Sequence, residues 1–301
     1  LVIRRMHDSK DVEIFLTGSS AKLLSKEIAS NLRGRSLATE VWPYSFHEFL
    51  KAHNLSLPGD LLDKKTEDHL TKFFSQYLLE GGFPEVTHYD REIRQRTLQE
   101  YVDVVLYRDI IERHKVKNTS VIKYMILSMI HNVSSPFAIN KFYNELKNKG
   151  YKVTKDALYE YMSYIEDAYL MFSVPIYNPS LRKVENHPKK VYAIDPGLVR
   201  ALTLNHKRDV GRLFENIIYL DLKRLGHKVN YYLTPEKYEV DFVVQTIYGE
   251  KQIIQVAWNM DDKKTEEREE RALEAGMKAL KVKGQIITLR SYLEKGVELL
   301  K

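Results

Sequence analysis

The sequence predicts a multidomain α/β protein, and three features of its 301 residues support this prediction. Near the start, an apolar run at residues 14–16 ends in the small residues 17–20, and an amphipathic helical pattern follows. Such a run is typical of a buried parallel strand that delivers polar side chains to a phosphate site. A helical region is predicted at residues 60–118. In the last segment, residues 186–301, the hydrophobic pattern predicts the element order α-β-β-β-α-β.

The composition is that of a globular protein with a mildly basic charge. Hydrophobic residues make up 44% and charged residues 29%, and the net charge is +6 with a pI near 9.0. This charge is compatible with binding of DNA or another nucleic acid, but it does not require it. The absence of cysteine excludes disulfides, thiolate zinc sites and cysteine nucleophiles. The sequence shows neither a signal peptide nor an apolar run of about 18 residues, so we expect a cytoplasmic protein with no membrane partner.

Residues 119–185 are predicted to form a compact helical unit. Three helices are followed by an extended apolar stretch, and these helices lie at residues 121–130, 137–149 and 155–168. Helix, helix, turn, helix, strand is the order of a winged helix-turn-helix. The third helix, with Thr154 as its N-cap, would be the recognition helix and would expose Lys155, Tyr159 and Tyr161. Because acidic residues also lie on this helix, docking of a protein is an alternative to DNA binding.

The α-β-β-β-α-β order within residues 186–301 is that of a restriction-endonuclease-like core. Its elements are predicted at residues 211–225, 228–233, 238–244, 252–257, 265–281 and 285–289. On the second strand, alternation places Asp241 on the same face as Val243 and opposite Phe242. An acid among apolar neighbours is costly unless it is paired or binds a metal. Asp241 is therefore the centre of a candidate site.

Metal-dependent nucleases of this fold hold Mg²⁺ with carboxylates and use a lysine to steady the attacking hydroxide. The corresponding candidate catalytic residues are Glu215 on the first helix, Asp241 on the second strand and Gln255 on the third, with Glu215 and Asp241 as the candidate Mg²⁺ ligands. Gln255 stands where such enzymes have a glutamate, and Ala257 stands where they have the lysine. Both differences make a domain that does not cleave nucleic acid the favoured interpretation, rather than an active nuclease. In a further alternative, Glu215 and Asp241 form a hydrogen-bonded pair that is bridged by Arg268.

The first segment, residues 1–59, is predicted to be the remnant of a P-loop ATPase core. No Gly-x-x-x-x-Gly-Lys-Ser/Thr loop occurs in the chain, so the usual cradle for a triphosphate is missing. Arg33 and Arg35 flank Gly34 at the end of a predicted helix. They either complement the C-terminus of that helix or contact the γ-phosphate of a nucleotide.

Short motifs spread over nearly the whole chain connect these parts to one family. They include Leu16-Thr17-Gly18-Ser19-Ser20, Leu32-Arg33-Gly34-Arg35, Gly81-Gly82-Phe83-Pro84, Tyr192-Ala193-Ile194-Asp195-Pro196-Gly197, Phe214-Glu215-Asn216 and Glu239-Val240-Asp241-Phe242. In this order the motifs resemble the AAA-type ATPases of archaea and bacteria that carry a winged-helix region and a C-terminal restriction-endonuclease-like domain. The resemblance implies that ATP and Mg²⁺ are cofactors of the complete family protein. It also implies roles in nucleotide binding for Thr17, Ser19, Arg33 and Arg35.

Three functions are open at this point. The first is an ATPase-family protein associated with nucleic acid, whose phosphate-loop part either lies outside this chain or has been lost. The second is a non-catalytic module that binds a protein partner or itself. The third is a Mg²⁺-dependent nuclease centred on Asp241. We expect no ATP hydrolysis by this chain alone, because it lacks the backbone amides and the lysine of the loop.

Overall fold

A computed structural model describes the protein at residue 6 and over residues 12–15, 17–18, 37–58, 62–203 and 210–301. The protein is mixed α/β, and the strands within these described residues form one sheet of three strands and one of four. The helix predicted at residues 23–32 lies outside the described residues, as do Ser19, Arg33 and Arg35.

The buried strand predicted at residues 12–17 is not found in the described part of this run. Residues 12–15 and 17–18 have no strand structure, and the Phe15 side chain is 85% exposed. A buried strand needs neighbouring strands that pair with its backbone. None of the described strands pairs with this run, so its apolar residues are not covered by a sheet there.

The first helix with described ends, α1, spans Phe46–Ala52 and was predicted from its pattern. It begins with a capping box in which the Glu48 backbone N–H donates to Ser45 Oγ and the Ser45 backbone N–H donates to the Glu48 carboxylate. Phe46 is buried and faces Tyr292 near the end of the chain, with 6.4 Å between the ring centroids. α1 therefore packs into the same core as the C-terminal part of the protein.

Helices dominate the next part of the chain, as the sequence predicts. α2 spans Lys64–Glu80 and is followed by a 3₁₀ helix at Pro84–His88. α3 spans Arg91–Val104, a π-helix at Val105–Glu112 extends it, and α4 spans Thr119–His131. α2 ends at Gly81, whose φ of +80° favours glycine over residues with a Cβ. Among the residues that the structure describes, no helix is both long enough and apolar enough to cross a membrane.

A small antiparallel sheet follows α4. The elements β1, α5, α6, β2, α7 and β3 lie at Ser135–Phe137, Ile139–Asn148, Lys155–Asp167, Met171–Val174, Leu181–Asn186 and Lys189–Ala193. The order of the strands is β1-β3-β2, so β3 is the central strand. The predicted boundary at residue 185 separates β3 from its two partners, whereas the sheet continues across it. A strand pattern alone does not identify the strands that pair with it, so the sequence does not indicate that this sheet crosses the predicted boundary.

α6 is the helix that the sequence predicts to be the recognition helix. The Thr154 hydroxyl caps its start, as expected. Lys155 and Tyr159 are exposed, but Tyr161 is buried in the core. Tyr161 lies one helical turn before Ile165, which is also buried, so it belongs to the inward face of the helix.

The C-terminal part contains the predicted order α-β-β-β-α-β. From α8 to the end of the chain, the elements are α8, α9, β4, β5, β6, α10, β7, α11 and a 3₁₀ helix. Their bounds, in the same order, are Pro196–Leu202, Val210–Arg224, Lys228–Leu233, Glu239–Gln245, Lys251–Ala257, Lys263–Leu280, Lys283–Thr288, Leu289–Lys295 and Gly296–Leu300. Strands β4, β5 and β6 are antiparallel neighbours, and β7 runs parallel to β6. A parallel pair needs a crossover connection, and α10 provides it.

β5 contains a β-bulge next to the candidate acid. The register with β4 shifts between Asn230 and Tyr232, which leaves one extra residue on β5. Val243 consequently shares a small core with Val240 beneath α10, whereas Phe242 belongs to the main core on the other side of the sheet. The predicted alternation, which placed Val243 on the face of the candidate acid, is therefore wrong, because a bulge reverses the faces of the residues that follow it.

Candidate functional site

The structure brings two of the three candidate catalytic residues together. Glu215 lies in the middle of α9 and Asp241 lies at the bulge of β5, and both side chains are buried. Glu239, two residues before Asp241, points toward the same place and is partly exposed. Three carboxylates from one helix and one strand thus converge at the junction between the two sheets.

Lys190 of β3 fills the space between these carboxylates. The distances from its Nζ are 2.8 Å to Glu215 Oε1, 2.9 Å to Glu239 Oε1 and 3.1 Å to Asp241 Oδ1. The Lys190 side chain is only 1% exposed. An ammonium group has three N–H donors, which matches the number of carboxylates. We refer to Lys190, Glu215, Glu239 and Asp241 as the Lys190 cluster.

Further contacts join β3 to α9 beside the cluster. The Tyr192 hydroxyl donates to Glu215 Oε1 at 2.7 Å. The Asn216 side chain accepts from the Ala193 backbone N–H at 2.7 Å and donates to the Ala193 carbonyl at 3.0 Å. The backbone of β3 is therefore held directly against α9, and the position of Lys190 does not depend on its ion pairs alone.

Burial and charge together set the protonation of the cluster. Burial disfavours the ammonium of Lys190, but the neighbouring Glu215, Tyr192 and Asp241 outweigh this and raise its pKa well above the usual value. Burial and the Asp241 carboxylate raise the pKa of Glu215 to about 8, against the lowering effect of Lys190. Lys190 therefore remains charged, and the pKa of the Glu215 carboxyl lies above its usual value.

This raised pKa makes stability depend on pH. Glu215 titrates at about 8 in the folded protein and near 4.5 when unfolded, so its contribution is complete below pH 4.5 and is lost as the pH rises through 8. In the wild type, the free energy of unfolding should therefore fall between pH 5 and pH 9. In the Glu215→Gln variant, we expect this fall to be smaller than in the wild type by about 3–5 kcal/mol. Thermal melts at pH 5, 7 and 9 measure this change. Glu298→Gln, at an exposed carboxylate, should keep the wild-type profile, and an unchanged profile in Glu215→Gln would contradict the assignment.

The third candidate, Gln255, does not join the Lys190 cluster. Its Oε1 accepts from the Asp241 backbone N–H at 3.1 Å, and its Nε2 donates to Glu269 of α10. Arg268 pairs with Glu269 and is largely exposed, so it does not bridge Glu215 and Asp241 as one prediction supposed. The bridge is made by Lys190 instead, whose Nζ lies 2.8 Å from Glu215 Oε1 and 3.1 Å from Asp241 Oδ1.

The Lys190 cluster does not fit a Mg²⁺ ion. The Lys190 ammonium already lies at hydrogen-bonding distance from all three carboxylates, and one Asp241 oxygen also accepts from the Val256 backbone N–H at 3.0 Å. Within the described parts of the chain, no three His, Cys, Asp or Glu side chains are arranged to hold a metal ion. The predicted Mg²⁺ ligands Glu215 and Asp241 therefore hold a protein cation here.

Sequence reasoning missed Lys190 as a site residue. The residues around it were interpreted as a basic, proline-bearing connector. The available signal was its place directly before the apolar run Val191-Tyr192-Ala193-Ile194, since a lysine at the start of a buried strand needs a partner. Nothing in the sequence indicates that this partner lies 25 to 51 residues further along the chain.

A second candidate site is a basic groove at the start of α6. This open groove has a volume of about 620 Å³ and lies between residues 114–118 and residues 152–164. Lys115, Lys117 and Lys152 line it and are exposed. Asn118 Nδ2 donates to the Lys152 carbonyl at 3.1 Å and holds the two walls together. The His114 ring stacks on Tyr164 with 3.8 Å between centroids, which gives the groove an aromatic side.

The groove lies in the part of the chain that carries the net charge. Residues 115–190 contain 12 Lys or Arg and six Asp or Glu, so their formal charge of +6 equals that of the whole protein. The remaining residues are balanced in charge. Without Lys190, which is buried against carboxylates outside this range, the charge of residues 115–190 is +5, and a positive charge of this kind favours contact with phosphates.

The candidate nucleotide-binding residues cannot be assembled into a site from the described residues. Thr17 is described and is exposed. Ser19, Arg33 and Arg35, the other three candidates, lie outside the described residues. Their assignment rests on the sequence.

Comparison with known protein families gives two partial matches. Residues 1–50 match the family described as an AAA domain, and residues 71–209 match a domain of unknown function, DUF8612. The first match makes the N-terminal segment similar to AAA-type ATPases. The second spans α3 to α8, including the three-stranded sheet and Lys190.

Two relatives extend the similarity over most of the chain. An uncharacterized protein of Methanocaldococcus jannaschii is 36% identical over 301 residues, covering 98% of this chain and 66% of the relative. An uncharacterized protein of Haemophilus influenzae is 28% identical over 261 residues, covering 87% of this chain and 63% of the relative. The chain thus spans slightly less than two thirds of each relative. No solved structure matches it.

Proposed function

We propose that this chain, whose first 50 residues match an AAA domain, is part of an AAA-type ATPase-family protein that associates with DNA. The observation that carries this proposal is the basic groove at the start of α6, which the exposed Lys115, Lys117 and Lys152 line. In the complete protein, ATP and Mg²⁺ would act at the AAA domain, with Thr17, Ser19, Arg33 and Arg35 as candidate nucleotide contacts.

The unit built by α4, α5, α6 and the three-stranded sheet would be a winged helix-turn-helix. Its element order, helix, strand, helix, helix, strand, short helix, strand, and its sheet order β1-β3-β2 support this assignment. α6 would be the recognition helix, with Lys155 and Tyr159 exposed on it. Asp156 and Glu160 are also exposed there, so we expect phosphate contacts from the neighbouring basic groove to supply most of the affinity.

The groove suits a DNA backbone because its positive charge comes from two sources. Lys115, Lys117 and Lys152 provide three ammonium groups along an open surface. The start of α6 adds the partial positive charge of a helix N-terminus, where backbone N–H groups favour anions. Contacts of this kind position a protein on DNA without reading its sequence.

Salt dependence tests the proposal. We expect the chain to bind a fluorescent DNA duplex with an affinity that falls steeply between about 50 and 200 mM salt. Combined replacement of Lys115, Lys117 and Lys152 by Ala should weaken binding about 10-fold and reduce the slope of log K against log salt by about 2–3. Fluorescence anisotropy at several salt concentrations measures both quantities.

The matched control removes the same charge from another surface. Lys263, Lys264 and Lys278 are exposed on α10, and their combined replacement by Ala should leave the slope nearly unchanged. An equal effect of the two triple variants would show that only net charge matters and would contradict a site at the groove. A flat salt response of the unchanged chain would favour the second candidate function, a protein-docking module, for which the exposed Asp156, Tyr159 and Glu160 on α6 provide a surface.

The C-terminal unit would be a restriction-endonuclease-like domain that does not cleave. The α-β-β-β-α-β order and the mixed four-stranded sheet support the fold assignment. The interaction of Gln255 with Glu269, and the absence of a side-chain amine at Ala257, support the lack of activity. A Mg²⁺-dependent nuclease centred on Asp241 would instead require release of that carboxylate from Lys190.

A further inference from the structure

We infer that the carboxylates of Glu215, Glu239 and Asp241 form a socket for Lys190, whose ammonium replaces the metal ion that nucleases of this fold hold at the corresponding place. The comparison with nucleases rests on the proposed fold of the C-terminal unit. The socket itself rests only on the contacts of Lys190. Its function is to bind the three-stranded sheet to the four-stranded sheet.

The geometry matches an ammonium group rather than a divalent cation. All three Nζ–O distances lie between 2.8 and 3.1 Å, which is the usual length of a charge-assisted hydrogen bond. Mg²⁺ requires oxygen ligands at about 2.0–2.1 Å in an octahedron. Lys190 Nζ donates a hydrogen bond to Asp241 Oδ1 and forms ion pairs with Glu215 and Glu239, so all three carboxyl groups of the socket have the ammonium as a partner.

The socket joins elements that are separate in the two sheets. Lys190 belongs to the central strand of the three-stranded sheet, and two of its partners belong to β5 of the four-stranded sheet. The third partner, Glu215, is on α9 and also accepts from the Tyr192 hydroxyl. The ion pairs can form only when the sheets are docked, so they select this arrangement over others that would bury an unpaired charge.

Substitution of Lys190 tests the socket through stability. Lys190→Met keeps the length and apolar part of the side chain but leaves the carboxylates without their cation. We expect it to lower Tm by about 5–10 °C. Adding Glu215→Gln and Asp241→Asn to Lys190→Met should recover at least half of this loss, because the triple variant no longer buries unpaired acids. Lys149→Met, at an exposed lysine paired with Glu145, is the control and should change Tm by less than about 2 °C.

A second experiment adds MnCl₂ to the unchanged chain. It tests whether the Lys190 ammonium occupies the place of a divalent metal ion, and it needs no variant of Lys190. We expect no Mn²⁺ binding at the socket, seen as an unchanged electron paramagnetic resonance signal of free Mn²⁺ and an unchanged Tm. Binding that Asp241→Asn abolishes would overturn the inference. So would a Lys190→Met variant as stable as Lys149→Met, or a triple variant no more stable than Lys190→Met. None of these measurements involves nucleic acid, so they can fail or succeed independently of the DNA-binding proposal.

Discussion

Replacement of Arg224 by Met is expected to lower the free energy of unfolding by about 3–5 kcal/mol. Arg224 Nη1 lies 2.7 Å from Asp221 Oδ1, and Asp221 is fully buried in α9. In the variant, the Asp221 carboxylate would keep the Tyr292 hydroxyl as a donor, at 2.6 Å, but would lose its cation. A buried charge that loses its partner is much more costly than a lost surface ion pair.

The same arginine holds the segment that precedes α1. Arg224 Nη2 donates to the Pro43 carbonyl at 3.0 Å, so its loss also releases the chain near the end of the AAA-like match. Urea denaturation followed by circular dichroism measures the change. Arg290→Met is the control, because Arg290 is 60% exposed and pairs with Glu67 at the surface, and it should cost less than about 1 kcal/mol. Equal losses in the two variants would contradict the importance of the buried pair.

Replacement of Gly82 by Ala is expected to destabilise the protein by about 3 kcal/mol. A Cβ at Gly82 would lie 2.2 Å from the Tyr44 carbonyl oxygen and 2.9 Å from the Tyr44 nitrogen. Both atoms are backbone, so no side-chain rotation can relieve the clash. The Tyr44 backbone N–H donates to the Gly82 carbonyl, and the Gly82 N–H donates to Asp195 Oδ2, each at 2.6 Å. Separation of Tyr44 from Gly82 would break the first of these hydrogen bonds.

Gly211→Ala provides a control with the same chemical change. Gly211 lies in α9, and a Cβ there would meet nothing within 4 Å. The control should be neutral or more stable by about 0.5–1 kcal/mol, because alanine favours the helix. Thermal unfolding of the two variants under identical conditions makes the comparison. If Gly82→Ala unfolded at the same temperature as Gly211→Ala, the close approach of Tyr44 would have no energetic importance.

Both predictions concern the connection between the AAA-like segment and the rest of the chain. The backbone of residues 43–45 is held by Arg224, by Gly82 and by the Tyr77 hydroxyl, which donates to the Tyr44 carbonyl at 2.7 Å. α1, directly after this segment, is buried in the C-terminal core.

Local sequence patterns were sufficient for most of the secondary structure. Thr154 predicted the start of α6, and hydrophobic periodicity predicted the order from α9 to β7. These features depend on residues within one or two turns of one another, so the information lies in a short stretch of chain. The strand predicted at residues 12–17 failed in its described part because burial requires neighbours that a local pattern does not contain.

The candidate site could be predicted only in part, because a local pattern does not contain its distant neighbours. The cost of burying an acid identified Asp241 as a residue that needs a partner, the correspondence with nucleases added Glu215, and the structure brings the two together. Gln255 was assigned to the site from strand alternation, but its side chain contacts Glu269 of α10. The bulge in β5 also reversed the faces predicted beyond Asp241, since a single inserted residue is invisible to a period-two pattern.

The sequence by itself determined the charge of the protein, its lack of cysteine chemistry, the positions of most helices and strands, and the need of Asp241 for a partner. Only the tertiary structure decided that this partner is Lys190, that β3 is the centre of a sheet with β1 and β2, and that the two sheets meet at a buried cation. Helix and strand periods arise from neighbours along the chain. The partner of a buried charge is set by packing between distant segments, and the sequence does not state which segments those are.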